Sequence, residues 1–292
     1  MPPSDGHGIV ALWQFAAMAS GKSIRFCPIG LIYAWPLGYR MLTQDTVVGL
    51  GVFNQSLVAL TTGRPLLIQG SGPDSMQQEQ VPLDQPCVSA ASIVSFGFGV
   101  VWASPEGLFM MGASGPVNLT GGVMTRADWQ ALVPSTIVGE QQEGLYYGSY
   151  TVGGVTKGFI IDPQRPDGVV FLSAGYAAMY RDPIQGALFV LSGTNVQKWD
   201  AGSTFMTATF TSKVYRMPVG TSFSCAKIVA DSYGQVVRFY ADGTLRFTKT
   251  VANGQPFRLP IGFSASDWQF SIDTTVPVQA LLVADDMREV DS

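Results

Sequence analysis

One motif recurs along this chain at nearly constant steps, and that recurrence limits the fold more than any other feature. "LVALTTGRPLLI" (57–68) is an apolar run, a glycine-containing turn and a second apolar run. "VVWASPEGLFMM" (100–111), "LFVLSGTNVQKW" (188–199) and "VRFYADGTLRFT" (237–248) have the same form, and "LYYGSYTVGGVTKGFII" (145–161) has it with a longer tip. One turn glycine from each is Gly63, Gly107, Gly154, Gly193 and Gly243, at steps of 44, 47, 39 and 50. A four-stranded propeller blade takes about 45 residues. The spacing predicts an all-β chain built as a β-propeller-like array, with these glycines as structural turns.

The runs sharpen that expectation. A sheet with one wet face alternates apolar and polar residues, whereas Val100–Ala103 and Leu108–Met111 are apolar at successive positions. Such strands belong to sheets covered on both faces, as stacked blades are. Ile9–Ala19, "IVALWQFAAMA", reads as one buried strand, too short to span a membrane and not preceded by the basic residues of a secretory signal. A helix is predicted near 125–132, with Thr125 as N-cap, Asp128 three residues on and Pro134 as the stop. "DSMQQEQ" (74–80) suggests one further helical turn. A seam near 201–212 divides a propeller-like domain, 1–205, from a C-terminal β segment, 206–292, that is either a sandwich or further blades.

Charged residues make up 13% of the chain, about half the usual share, which points to a surface covered by partners. Lys and Arg number 17 against 21 Asp and Glu, scattered singly, so a nucleic-acid grip is not expected. Cys27, Cys87 and Cys225 are far apart, lack a C-x-x-C pairing and read as free thiols from a reducing compartment. His7 is the single histidine, in a mobile start, which removes zinc sites and Ser–His or Cys–His pairs from consideration.

No catalytic motif is present: no nucleophile elbow, phosphate loop, dinucleotide fingerprint or zinc helix. Glu106, between Pro105 and Gly107, raises the question of a loop carboxylate. The other tips share glycine and not an acid, so Glu106 reads as a turn residue that any small polar side chain could replace. Glycoside hydrolysis needs two carboxylates across a sugar; Glu106, Glu140, Glu143 and Asp182 are available, but nothing in their spacing pairs them. "YADGTLRF" (240–247) faintly resembles a sialidase Asp-box, which is itself structural. Asp285, Asp286, Glu289 and Asp291 read as a solvated acidic end and not a cation site. "NLT" at Asn118 fits a glycosylation sequon that has no meaning without a signal peptide. Trp13, Trp35, Trp102, Trp129, Trp199 and Trp268 could line a sugar cleft, but Trp102 and Trp199 sit in blade runs and read as core. No cofactor or metal is expected.

"YAWPLGYRM", "VVGLGVFNQSLVALTTGRPLLIQGSGPDSM", "QPCVSAASIVSFGFGVVWASPEGLFMM" and "MTRADWQALVPSTI" together resemble virion structural proteins of tailed bacteriophages. The group comprises propeller-containing neck and tail components: the tail nozzle or tail tubular protein B, and packaged-DNA stabilisation proteins. The resemblance runs from Arg25 to Asp200 and continues more weakly through "SKVYRMPVG" and "PFRLPIGFSASDWQFSI". Ala90 and Ala91 depart from the family, standing where a basic pair is expected. So does the start close to the "AWP" region, where relatives carry a substantial N-terminal part; against that resemblance the expected blade count would be incomplete, with a partner chain supplying the rest.

The resemblance implies a passive role. Copies would form a ring below the portal, part of a conduit that retains and then releases the genome. The implied partners are further copies and neighbouring portal, adaptor and tail proteins, with DNA passing unbound and no membrane insertion. The implied location is the virion, assembled in the bacterial cytoplasm. The other reading is a propeller of a tail fibre or baseplate that binds host-surface glycan.

Overall fold

The structure is a computed structural model that describes residues 2–203 and 205–290. Strand accounts for 50% of it and helix for 7%, so the chain is all-β. It divides into two compact units, Met1–Asp200 and Ala201–Ser292.

The first unit is a row of antiparallel meanders. Blade 1 contains β1 (His7–Leu12), β2 (Phe15–Ser20), β3 (Ser23–Phe26) and β4 (Arg40–Leu42). Blade 2 contains β5 (Val47–Phe53), β6 (Ser56–Thr61), β7 (Leu66–Gln69) and β8 (Gln77–Gln80). Blade 3 contains β9 (Val94–Ser95), β10 (Gly99–Ser104), β11 (Gly107–Gly112) and β12 (Gly115–Asn118), and α1 (Arg126–Ala131) follows it. Blade 4 contains β13 (Val138–Gln142), β14 (Leu145–Val152), β15 (Val155–Ile161) and β16 (Val169–Leu172). Blade 5 has three strands, β17 (Met179–Asp182), β18 (Ala187–Ser192) and β19 (Asn195–Lys198).

The apolar runs are explained by the blade contacts. Successive side chains of a strand point to opposite faces. In β10, Val100 and Trp102 pack against Val58 and Leu60 of blade 2, while Val101 and Ala103 pack against Tyr146 and Phe159 of blade 4. In β6, Leu57 and Ala59 meet Ala17, Ala19 and Phe26 of blade 1. An inner strand is therefore buried on both sides. Gly51 on β5 belongs to the same packing, because a Cβ there would run into the Val100 side chain. Trp102 is completely buried and stacks on Phe109, their ring centroids 6.0 Å apart.

Gly63, Gly107, Gly154 and Gly193 each lie at the turn between the second and third strands of a blade. Blade 1 has its counterpart at Gly21, 42 residues before Gly63, at a φ of 54°. Gly243 lies elsewhere: it joins two strands of the second unit and is not a blade turn. Two further expectations are corrected. Ile9–Ala19 is not one strand but a hairpin, because Trp13 takes a φ of 35° and turns the chain between β1 and β2. Residues 77–80 are strand β8 and not helix, held by pairing with β7.

The second unit is a sandwich. One sheet contains β20 (Ala208–Thr211), β21 (Tyr215–Thr221), β23 (Val236–Ala241), β24 (Thr244–Thr250) and β26 (Ala265–Thr274). The other contains β22 (Cys225–Ala230), β25 (Phe257–Arg258) and β27 (Val278–Ala284), and α2 (Met287–Val290) closes the described chain. Ala226 and Ile228 of one sheet meet Val237, Phe239 and Ile272 of the other in a single core. Of the two alternatives for this segment, the sandwich is the one formed.

Candidate functional site

The turn that carries Glu106 is held by a network of side chains. Ser104 pairs with Gly107, so Pro105 and Glu106 form a two-residue turn, and neither residue takes a positive φ. Pro105 supplies the preset φ. Gly107 does not use the left-handed freedom expected of it. A Cβ there would sit 2.6 Å from Asn118 Oδ1 and 2.7 Å from Thr120 Oγ1. Glycine is required for close approach. The same holds at Gly63, where a Cβ would collide with the Asp45 carboxylate. Gly154, Gly193 and Gly243 do take positive φ, at 79°, 60° and 73°.

Glu106 has definite partners, which corrects its reading as an interchangeable turn residue. Its Oε1 accepts an ion-paired contact from Arg126 Nη1 at 2.9 Å, and its Oε2 accepts from Gln85 Nε2 at 2.8 Å. Ser104 Oγ donates to Gln85 Oε1 at 2.6 Å, and Trp129 Nε1 donates to the Ser104 carbonyl at 2.8 Å. Arg126 and Trp129 both come from α1, which starts as predicted: Thr125 and Asp128 form a reciprocal capping box. The network ties α1 to the tip of blade 3. It contains one cation, one amide, one hydroxyl and one indole linked to a single carboxylate, and no second acid.

Two of the other candidate carboxylates, Glu140 and Asp182, accept from backbone. Glu140 accepts from the Gln141 N–H at 2.9 Å and the Arg181 N–H at 3.3 Å, bridging blades 4 and 5. Asp182 accepts from the Ile184 N–H at 2.9 Å. Glu143, with a φ of 54°, sits at the β13–β14 turn. Asp242, in the Asp-box-like turn, accepts from the Ser266 and Asp267 N–H groups at 3.1 and 3.0 Å, a structural role. Asp286 accepts from the Arg288 N–H at the start of α2, while Asp291 lies outside the described residues. No group of His, Cys, Asp and Glu among the described residues is arranged to hold a metal ion.

The thiols offer no nucleophile. Burial pushes Cys87 up to about 11, so it is protonated at neutral pH, and its Sγ donates to the Ser89 carbonyl. Cys27 and Cys225 are also free and buried, each in a different cluster. Burial likewise raises Tyr146, whose hydroxyl donates to the Ser92 carbonyl at 3.0 Å. Asp267 and Asp273 titrate below the usual carboxylate range because Arg216 and Arg238 respectively hydrogen-bond them. His7 is not adrift: its ring nitrogens lie 3.2 and 3.3 Å from the Asp5 and Val47 carbonyl oxygens.

The tryptophans separate by burial. Trp35, Trp102, Trp129 and Trp268 are core, Trp199 is half-buried between Tyr147 and Tyr176, and Trp13 is 79% exposed at a hairpin tip. Around Trp199 is a cavity of about 260 Å³, whose lining includes Tyr147, Gln142, Glu143, Lys198 and Asp200.

The exposed apolar residues have no sequence signature. In blade 5, Leu188 and Val190 face blade 4, and on the opposite face Tyr180 pairs with Phe189 and Leu191 with Val196. Tyr180 is 61% exposed, Val196 71% and Ile184, at the adjoining turn, 93%. On blade 1, Trp35 packs on Met18 and Cys27, and the loop around it exposes Ile29, Ile32, Tyr33 and Leu37. No core cluster among the described residues joins blade 5 to blade 1.

Neither a protein-family model nor a curated protein sequence matches the chain. It is similar in fold to several solved structures. The WD40 domain of coronin from Toxoplasma gondii is 9% identical with a TM-score of 0.40, over 91% of this chain and 69% of that one. BamB from Moraxella catarrhalis is 11% identical with a TM-score of 0.37, over 89% and 82%. Dihydro-heme d1 dehydrogenase NirN is 9% identical with a TM-score of 0.42, over 90% and 59%. These likenesses are to the fold alone; the propeller-like array of the first unit is read from its own successive antiparallel meanders.

Proposed function

We propose that this chain is a structural subunit of a bacteriophage neck or tail, present in several copies as a ring that forms part of the DNA conduit. One observation carries the reading: both terminal blades expose large apolar side chains, Tyr180, Ile184 and Val196 at one end and Ile32, Tyr33 and Leu37 at the other. Apolar surface gathered this way marks an interaction site. A chain with 13% charged residues gains by covering it. The resemblance of residues 25–200 to neck and tail components agrees.

In this reading the protein is not an enzyme. Glu140, Asp182 and Asp242 accept from backbone N–H groups, and Lys and Arg are scattered singly along the sequence, so DNA would slide past without a basic run to hold it. Cryo-electron microscopy of particles carrying a tagged chain tests this. An on-axis ring is expected, and a peripheral position would overturn it.

A second reading, glycan binding by a tail-fibre or baseplate propeller, is favoured by the cavity at Trp199. An aromatic ring beside Glu143, Lys198 and Asp200 is suited to a sugar's apolar face and hydroxyls. Loss of host adsorption in a Trp199→Ala particle with normal assembly would select it.

A further inference from the structure

The two sheets of the sandwich do not cover each other fully. β27 pairs with β22 along one edge, and the order β25-β22-β27 leaves its other edge open. In the facing sheet, β20 and β21 run one after the other along the far edge of β26. Phe210 pairs with Ile272 and so points to the same inner face as that core residue, yet it is 62% exposed. The uncovered region is a groove of about 730 Å³ walled by Phe210, Tyr215, Met217, Phe270, Leu281 and Val283.

Charge and backbone define what fits there. No residue lining the groove carries a charge, so a charged group entering it would lose hydration without gaining a partner. β27 reads Val-Gln-Ala-Leu-Leu-Val-Ala, with no lysine and no proline within it, Pro277 standing just before its first residue. Its outward N–H and C=O groups need hydrogen bonds. An apolar small molecule would fill the groove and leave them to water; a strand both fills it and pairs with them.

We propose that this groove takes one extended strand from a partner chain, uncharged and apolar at every second position, which pairs with β27 and covers Phe210. This is strand addition to an open sandwich. Symmetric pairing of β27 with β27 of a second copy does not fit. Val278, Leu281 and Val283 pack with Phe270 and Ile272, so each β27 lies over its own β26. The second copy's β26 would then need the space that β20 occupies.

The full chain is titrated calorimetrically with the acetylated, amidated peptide Thr-Val-Thr-Val-Thr-Val-Thr, and amide exchange is followed by mass spectrometry. One-to-one binding with slowed exchange across 278–284 is expected. Binding should weaken at least tenfold with Asp in place of each Val, and equally in Phe210→Arg. Phe210 is mostly exposed, so the variant's melting temperature should not move; Phe210→Ala serves if it does, with a smaller loss. The proposal is overturned by no binding at about 1 mM peptide, the weak end of specific association. Protection confined to other strands also overturns it. So does protection of 278–284 by self-association alone, or by palmitate where the peptide fails. None of these outcomes bears on where the chain sits in a particle, so this inference and the tail reading fail separately.

Discussion

Trp102 and Trp129 are a matched pair with opposite hydrogen-bonding fates. Both are buried, at 0% and 1% exposure, within the packing of blade 3. Trp129 Nε1 donates to the Ser104 carbonyl at 2.8 Å, whereas Trp102 Nε1 is buried without a partner. Replacing either by Phe removes roughly three ring atoms, a packing loss of about 1–2 kcal/mol. For Trp129 the change also removes a buried hydrogen bond, worth about 1 kcal/mol, and takes a partner from a carbonyl in dry surroundings. For Trp102 it removes a stranded donor whose burial costs about 1–3 kcal/mol, which offsets the packing loss. Trp102→Phe should therefore be near neutral and Trp129→Phe destabilising by about 2–3 kcal/mol. Urea denaturation reads the difference as a shift in midpoint at constant slope. Equal destabilisation by the two, or a larger cost for Trp102→Phe, would refute the reasoning, because packing alone would then govern both sites.

Four further outcomes follow from the turns and the thiol. Gly154→Ala places a side chain at φ 79° in open space and should cost about 1 kcal/mol. Gly107→Ala forces Asn118 and Thr120 apart, breaking the bonds they make to the Leu108 and Gly121 N–H groups. Its thermal midpoint should fall further than that of Gly154→Ala. Glu106→Gln loses an ion pair between half-exposed side chains and should cost less than about 1 kcal/mol, leaving the circular dichroism spectrum unchanged. Cys87 titrates near 11 when folded against 9.0 for the free thiol, so its contribution is complete below pH 9 and lost as pH rises toward 11. That is about 3 kcal/mol across the window, and Cys87→Ala should flatten the decline in denaturation free energy measured between those pH values.

Local chemistry was enough wherever an element depends on its neighbours in sequence. The capping box at Thr125 and Asp128 specifies α1 because both its hydrogen bonds close within three residues. The doubly apolar runs of β6 and β10 announce sheets covered on both faces, since a strand has only two faces to bury. The turn at Trp13 was not legible, because no glycine, proline, asparagine or aspartate marks it; the pairing of β1 with β2 holds a tryptophan at positive φ there. Gly243 shows the limit from the other side. Asp242 and Gly243 have the turn chemistry of a blade tip, yet β23 pairs with β26, and that long-range register puts the hairpin in a sandwich. Glu106 looked like a free turn residue because Gln85 and Arg126 reach it only after two separate segments fold back onto blade 3. The uncovered groove beside β27 is likewise invisible in sequence: Phe210 belongs to an ordinary strand pattern, and only the order of strands in the opposite sheet decides that nothing lies above it.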